Sequence, residues 1–423
     1  MKTFNLPQNG KERVVIVGAG FAGLKLARSL AASKYQLVLI DKNNFHQFQP
    51  LFYQVATSGI EPASISFPVR KIFQKHANLH FRNTALKQIN LSAKHIETAD
   101  GLLPYDYLVL ATGVGNNYFG SESLEKFGLP MKSTAKAIYV RNRILESFEK
   151  AILTQNIEEQ AQLMSVVIVG GGPTGVELSG AIAEMKNNVL FKDYPELDFS
   201  LMQIQLYEAE PRLLNGMSEK AGGDALKYLQ RLDVQVFLNE KIENYDGQKV
   251  SLGSGTVVNC RNLLWTAGVR GFTISGLPES VYARGNRIKV DAFNQGDDVP
   301  RVFAIGDMAY QTENNYPDGH PQVAQVAIQQ AKNLAKNLKT GKWKAFNYRD
   351  KGSLATIGRN MAVADLPALR LSGFIAWLLW LFVHLMSIVG VKNRVFIFIN
   401  WAQCYLLRDQ SLRVMIKPFR MQE

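Results

Sequence analysis

The chain has 423 residues, 47% of them hydrophobic and 20% charged, which excludes a disordered chain and permits two or three domains. Its formal net charge of +12 points to an anionic partner, a nucleotide or an anionic lipid; with no nucleic-acid motif or basic arm, nucleic acid is not the expected one. Cys260 and Cys404 form no CxxC pair and fit a reducing setting, and the first nine residues lack the apolar core of a secretory signal.

In chain order, residues 14–23 read Val-Val-Ile-Val-Gly-Ala-Gly-Phe-Ala-Gly. An apolar strand is expected to end at Gly18 and a helix to run over 24–30. Gly18 permits the tight turn, Gly20 leaves room for a pyrophosphate, and Gly23 lets the helix approach the sheet. The first helical N–H groups then face the phosphates. The next strand, 36–40, ends in Asp41, the expected ligand of a ribose hydroxyl. Residues 43–56 are rich in aromatics and amides without a period. They line a cofactor or form an ordinary packed loop, and His46 reads as a hydrogen-bonded structural histidine. Residues 86–103, with a turn at 99–101, read as an antiparallel meander feeding the strand 107–111, which ends in Ala111-Thr112-Gly113.

The plan then recurs. Residues 166–175, Val-Val-Ile-Val-Gly-Gly-Gly-Pro-Thr-Gly, place Gly170, Gly172 and Gly175 in the same three roles. A helix through Met185 follows, and a strand over 203–207 ends in Glu208. Turns at 246–247 and 253–255 separate short strands that feed 262–265 and then Thr266-Ala267-Gly268. A whole unit is duplicated, and not only a motif. Residues 301–305 form a further strand ending in Gly306-Asp307, where ligands of open α/β sheets bind; a plain surface aspartate is the alternative. Pro321 is expected to open a helix over 322–338, with its positive end toward an electron-rich ring or an oxyanion. Residues 341–364, with Tyr348, Lys351, Gly358 and Arg359, read as a small β segment.

Residues 371–391 contain no charged side chain and are long enough, at about 20 residues, to span a bilayer. Ser372, Gly373, Ala376, His384, Ser387 and Gly390 gather on one side at helical spacing, opposite an apolar face. Lys392-Asn393-Arg394 follow, then a second apolar stretch, 395–407, with Trp401 and Tyr405, and a tail with Arg408, Arg413, Lys417 and Arg420. The pattern reads as amphipathic segments lying in an anionic membrane surface, with a transmembrane helix or a buried core or dimer helix as alternatives.

Two dinucleotide units suggest two cofactors held for hydride transfer, NAD(P)H as donor and a flavin as acceptor. Asp307 and the C-terminal region would complete the first unit, which is assigned FAD; the second is assigned the nicotinamide. Glu208 would repel a 2′-phosphate and favours NADH, although Arg212 lies near it in sequence. No cysteine pair, iron–sulfur spacing or haem spacing is present, so the apolar C-terminus suggests a lipid-soluble acceptor. Two rivals stand beside this reading. A soluble NAD(P)H reductase of another carrier would work without lipid, and a flavin-bound NADH sensor at the membrane surface would barely turn over.

Over essentially its whole length the sequence resembles the type II NADH:quinone oxidoreductases. The general part of the likeness is Gly18–Gly23, the Gly170 to Glu177 turn and Ala304-Ile305-Gly306-Asp307; the specific part is Ala324-Gln325-Val326-Ala327-Ile328-Gln329-Gln330, similar to the family's AQxAxQQ motif, with Gly390–Arg394. The resemblance implies an α/β fold of two Rossmann-like domains plus a membrane-associated C-terminal segment. The FAD domain would comprise 1–125 and 286–345, the inserted NADH domain 126–285, and the anchoring and quinone region 346–423. It implies non-covalent FAD at Gly18, Ala19, Gly20, Phe21, Ala22, Gly23, Asp41, Lys42, Ala85, Ala111, Asp307, Ala324, Gln325 and Lys392. NADH would meet Gly170, Gly172, Gly175, Glu177, Glu208 and Gly268, and the quinone Gln325, Gln329 and Lys392. Glu177 and Gln325 are the expected catalytic residues; a dipole-stabilising glutamate is the plain reading of Glu177, and a membrane anchor that of Lys392. No metal is expected. The expected activity is NADH oxidation with two-electron reduction of a membrane quinone and no proton pumping, by a homodimer peripheral to the cytoplasmic face of the cell membrane.

Overall fold

A computed structural model describes residues 3–409 and 412–415; of the expected tail cations, Lys417 and Arg420 lie outside the described residues. The chain forms two compact units. The first comprises Met1–Gln47, Phe67–Gly115 and Val269–Asp350, the second Phe48–Ser66, Asn116–Gly268 and Lys351–Glu423. The second unit therefore takes residues 48–66 and the C-terminal region together with the second glycine turn, and its central segment begins ten residues earlier than the boundary at 126.

The first unit is built on a five-stranded parallel sheet in the order Val302–Ala304, Tyr107–Leu110, Arg13–Val17, Gln36–Asp41, Leu79–Asn83. Its inner strands are apolar without alternation because both faces are covered; Val14, Val15 and Ile16 are fully buried. The helices Phe21–Leu30 and Ala324–Thr340 pack together in this unit. The second helix begins at Ala324, capped by Val323, and not at Gln322 as Pro321 suggested. Pro321 sits in the extended lead-in, so Ala324 and Gln325 open the helix. The expected meander is present as Leu86–Asn90, His95–Thr98 and Leu102–Pro104.

The second unit repeats the sheet with one permutation: Leu129–Pro130, Asn262–Trp265, Val166–Val169, Ile204–Tyr207, Val234–Phe237, all parallel. Here the outer strand is taken from the chain before the glycine turn. The second meander, Ile242–Tyr245, Lys249–Leu252 and Val257–Asn259, turns where Asp246 Oδ1 accepts the N–H groups of Gln248 and Lys249.

The C-terminal region differs from the expected single apolar run of residues 371–391. The β segment is a three-stranded meander, Ser353–Gly358, Met361–Leu366 and Leu369–Ser372, so Leu371 and Ser372 belong to a strand. Gly373 and Gly390 have positive φ (76° and 87°), a conformation open to glycine, and they delimit the helix Phe374–Ser387 and start the helix Val391–Leu407. Among the described residues no helix is long and apolar enough to cross a membrane. The inward face of the first helix is Ala376 and Trp380, with His384 stacked on Trp380 at 4.0 Å. Trp380 was expected on the apolar outer face; it is 1% exposed. Ile375, Phe382 and Met386 do face outward.

Candidate functional site

The two glycine turns match group for group. Gly18 and Gly170 have φ of 105° and 104°, and their N–H groups donate to Ile40 and Tyr207 carbonyls at 2.8 Å. A Cβ on Gly23 would lie 1.8 Å from the Gly18 oxygen, and one on Gly175 1.8 Å from the Gly170 oxygen. Both helices therefore approach as closely as a missing side chain allows. By contrast, a Cβ on Gly20 or Gly172 would meet nothing within 4 Å. The space before each helix is open, and each helix start has no side-chain cap for its N–H groups. That is a cradle for phosphate.

The strand-end acids also match. Asp41 accepts from Ala19 N (2.6 Å) and Asn43 N (2.7 Å); Glu208 accepts from Gly171 N and from Glu210 N (2.9 Å). Each carboxylate holds its glycine turn and the residue two positions on. Burial pushes the Asp41 carboxyl up, partly offset by those two N–H groups. Arg212, the sequence neighbour that qualified the Glu208 argument, is held by the carbonyls of Met217 and Asn215, both at 2.9 Å.

The first unit carries two further signs of a ligand. The hydroxyls of Thr84 and Thr112 are buried with no hydrogen-bond partner among the described residues. They follow the carboxyl ends of the strands Leu79–Asn83 and Tyr107–Leu110, next to the expected Ala85 and Ala111. The counterpart of Thr112 is Thr266, whose hydroxyl donates to Val169 O at 2.7 Å, so the second copy needs no such partner. Residues 18–23, Asp41 and the orphaned threonines fit an adenine dinucleotide. Gly306, where Asp307 begins its turn, packs on Ala22 and Ala327, and its N–H donates to Gln330 Oε1 at 2.7 Å. Lys42 and Ala85 are exposed on the same side of Asp41 in sequence.

Of the three expected quinone residues, Gln325 and Gln329 belong to the first unit and Lys392 to the second. Gln325 donates to Asp350 Oδ1 at 3.1 Å in the first unit. Gln329 donates to Arg349 O (2.9 Å) and accepts from Arg349 N (3.2 Å), so its amide is used in holding a loop. Gln330, in the same motif, is the buried member and pins the Gly306 turn. Lys392 is exposed in the second unit, with its ammonium over the Phe396 ring at 5.4 Å. Gly268 (φ 63°) is closely covered by Phe119.

Glu177 lies on a cavity of about 880 Å³ within the second unit. It is the fifth residue of the helix Pro173–Met185, past a first turn that holds no acid, so the plain reading of a dipole-stabilising first-turn glutamate does not apply; it is 8% exposed. Oε1 accepts from Trp380 Nε1 (3.3 Å) and Thr356 N (3.5 Å). Burial pushes its carboxyl up to about 8, and the two donors offset only part of that rise. A neutral carboxylic acid at pH 7 is a proton donor and not a fixed charge. Around it, Trp401 Nε1 donates to Gln54 Oε1 (2.8 Å), and Gln54 Nε2 donates to the Tyr53 hydroxyl (2.9 Å). Tyr53 and Trp401 both pack edgewise or tilted on Trp380. From the aromatic and amide-rich stretch 43–56, Tyr53 and Gln54 line this cavity, and His46 is hydrogen-bonded to Ala19 O at 2.8 Å, as a structural histidine would be. Sequence reasoning missed Tyr53, Gln54, Trp380 and Trp401 as a group, since they are brought together from three separate segments.

The chain matches the family model described as pyridine nucleotide-disulphide oxidoreductase over residues 12–331, and the NDH2 C-terminal domain over 351–409. It is 35% identical over 417 residues to the type II NADH:quinone oxidoreductase Ndh of Mycobacterium tuberculosis, covering 94% of this chain and 88% of that one. A second protein of that organism, type II NADH:quinone oxidoreductase NdhA, is 32% identical over 95% of this chain and 89% of its own. Among solved structures, NDH2 from Plasmodium falciparum in complex with NADH shares the fold with a TM-score of 0.87, at 21% identity, over 96% of this chain and 100% of that chain.

Proposed function

The chain belongs to the type II NADH:quinone oxidoreductases, and on that premise we propose that its first glycine turn holds FAD, its second NADH, and that the cavity beside Glu177 takes the quinone. The protein is an enzyme that oxidises NADH and reduces a quinone to its quinol without pumping protons. Bound FAD supplies the two-electron acceptor between the two substrates. In this reading the Gly20 and Gly172 cradles take the pyrophosphates, and Asp41 and Glu208 take ribose hydroxyls while still fastening their turns. Arg212 directs its Nη1 and Nη2 donors at the Met217 and Asn215 carbonyls, while Glu208 would repel a 2′-phosphate, which supports a preference for NADH.

The observation that carries the quinone assignment is the Glu177 cavity. It joins a protonated carboxyl to an aromatic wall, and its rim includes the exposed apolar side chains Phe374, Phe382 and Phe398. A planar, lipid-soluble molecule fits such a lining. The outward apolar face of the helices Phe374–Ser387 and Val391–Leu407, with Lys392 and Arg408 at the ends of the second, supports peripheral attachment to a membrane; the cytoplasmic face and the homodimer are carried over from the family resemblance alone. The test is kinetic. Trp401→Phe removes the Gln54 contact and is expected to raise KM for a short-chain quinone severalfold, with the rate of flavin bleaching by NADH unchanged. An unchanged quinone KM in Trp401→Phe and Tyr53→Phe alike would move the quinone elsewhere.

A further inference from the structure

The Glu177 cavity has two kinds of rim. One is apolar, formed by the side chains of the last two helices. The other is hydrophilic and lies around Glu184, with Asn187, Asn188, Arg359 and Asn360. Asn187 is exposed, so this end reaches water. Glu184 stands seven residues after Glu177 on the same helix, two turns or roughly 10 Å along one face. Ala181, between them, also lines the cavity. The strand Ser353–Gly358 and the turn after it serve both carboxyls alike: Thr356 N donates to Glu177 and Arg359 N to Glu184. The register of these two contacts is fixed tightly, because a Cβ on Gly180 would lie 1.5 Å from Ile357 O.

The Arg359 guanidinium does not pair with Glu184 head-on. It stacks on the Tyr405 ring at 3.9 Å, and its Nη1 is buried without a partner among the described residues. The Asn360 Oδ1 beside it is buried and unpartnered in the same way. Both atoms are closed to bulk water, which meets this wall at the exposed Asn187 and the half-exposed Asn188. Groups from every neighbouring element face Glu184: Arg359 from the hairpin, Tyr53 from the helix Phe52–Ala56, and Cys404, itself near Asp409, from the last helix.

We infer that Glu184 is the entry carboxyl of a water-filled proton route to the quinone, separate from the apolar rim by which the quinone arrives. The inference rests on the quinone assignment made above. The overall reaction, NADH + H+ + quinone giving NAD+ + quinol, draws one proton from solvent per turnover. NADH provides both electrons. At the quinone, the O–H bond of the Glu177 carboxyl breaks and one quinol O–H forms; the hydrogen of the second quinol O–H is the one that left NADH as hydride. Glu177 then regains a proton from Glu184 through water, and Glu184 regains it from the bulk. Burial holds both carboxyls above their ordinary range, so each carries its proton closer to neutral pH than an exposed glutamate would.

Glu184 acts through Glu177, so it is a positioning and relay residue and not a catalytic one. The test uses the FAD-loaded enzyme with a short-chain quinone in H2O and D2O. Glu184→Gln keeps the length of the side chain and an acceptor for Arg359 N. It is expected to slow flavin reoxidation by quinone about tenfold, less than the ~10²-fold or more of a direct general acid, because water replaces a relay in part. The solvent isotope effect on that step should rise, and flavin bleaching by NADH serves as the internal control. Glu184→Asp should restore part of the rate. A reoxidation rate and isotope effect in Glu184→Gln equal to wild type, with Glu177→Gln slow, would overturn the route alone. Wild-type reoxidation in both variants would overturn the quinone assignment beneath it.

Discussion

At the scale of single residues, the glycines separate into two classes that experiment can tell apart. Gly23 has a carbonyl oxygen where a Cβ would go, whereas Gly20 has open space. Gly20→Ala should therefore fold with near-wild-type Tm but purify with little flavin, while Gly23→Ala should lose both fold stability and flavin. Absorbance at the flavin band beside a thermal melt reads both. Glu177 gives a second expectation. In the unfolded chain it titrates near 4.5, and in the fold it keeps its proton up to about 8. Between those values only the folded state binds the proton, so this group's contribution to stability is full below pH 4.5 and is lost as pH rises through 8, by on the order of a few kcal/mol. Glu177→Gln does not titrate. Its Tm should exceed that of wild type at pH 8.5, with the gap shrinking toward pH 5. The same variant should slow quinone-driven reoxidation about 10²-fold, and the wild-type rate of that step should fall as pH rises through 8.

At the scale of elements, the glycine turns and their acids were legible because each residue there answers a local demand: a positive φ, a close helix, an open cradle. The cavity wall was not. Tyr53, Trp380 and Trp401 are far apart in sequence, and no period links them; only the packing of Phe374–Ser387 against the strand Met361–Leu366 turns Trp380 inward. Nor were the ends of the C-terminal helices. At helical spacing Gly373 and Gly390 fall on one face of a continuous helix, because the run around them is uncharged, whereas their positive φ makes them helix boundaries. The contact between the helix Pro173–Met185 and the strand Ser353–Gly358 sets both donors to the cavity carboxyls. Gly180→Ala forces that contact apart and should cost about 1–3 kcal/mol and most quinone reduction. Circular dichroism melts with steady-state assays would check it; a neutral Gly180→Ala would mean the strand is free to shift.

At the scale of the whole molecule, the anion-seeking charge is shared: residues 351–423 carry nine Lys and Arg against three Asp and Glu, half of the net +12, and the rest of the chain carries the other half. Ile375 and Phe382 face outward on a helix too short to cross a bilayer. Replacing both with glutamate should abolish co-flotation with anionic vesicles while leaving reduction of a water-soluble quinone largely intact. The most direct test of the central claim is anaerobic stopped-flow mixing of the FAD-loaded protein with NADH, then with a short-chain quinone. Rapid bleaching of the flavin by NADH and rapid recovery with quinone, the second phase alone slowed in Glu177→Gln, is the expected result. Rapid bleaching with no recovery on adding quinone would contradict it.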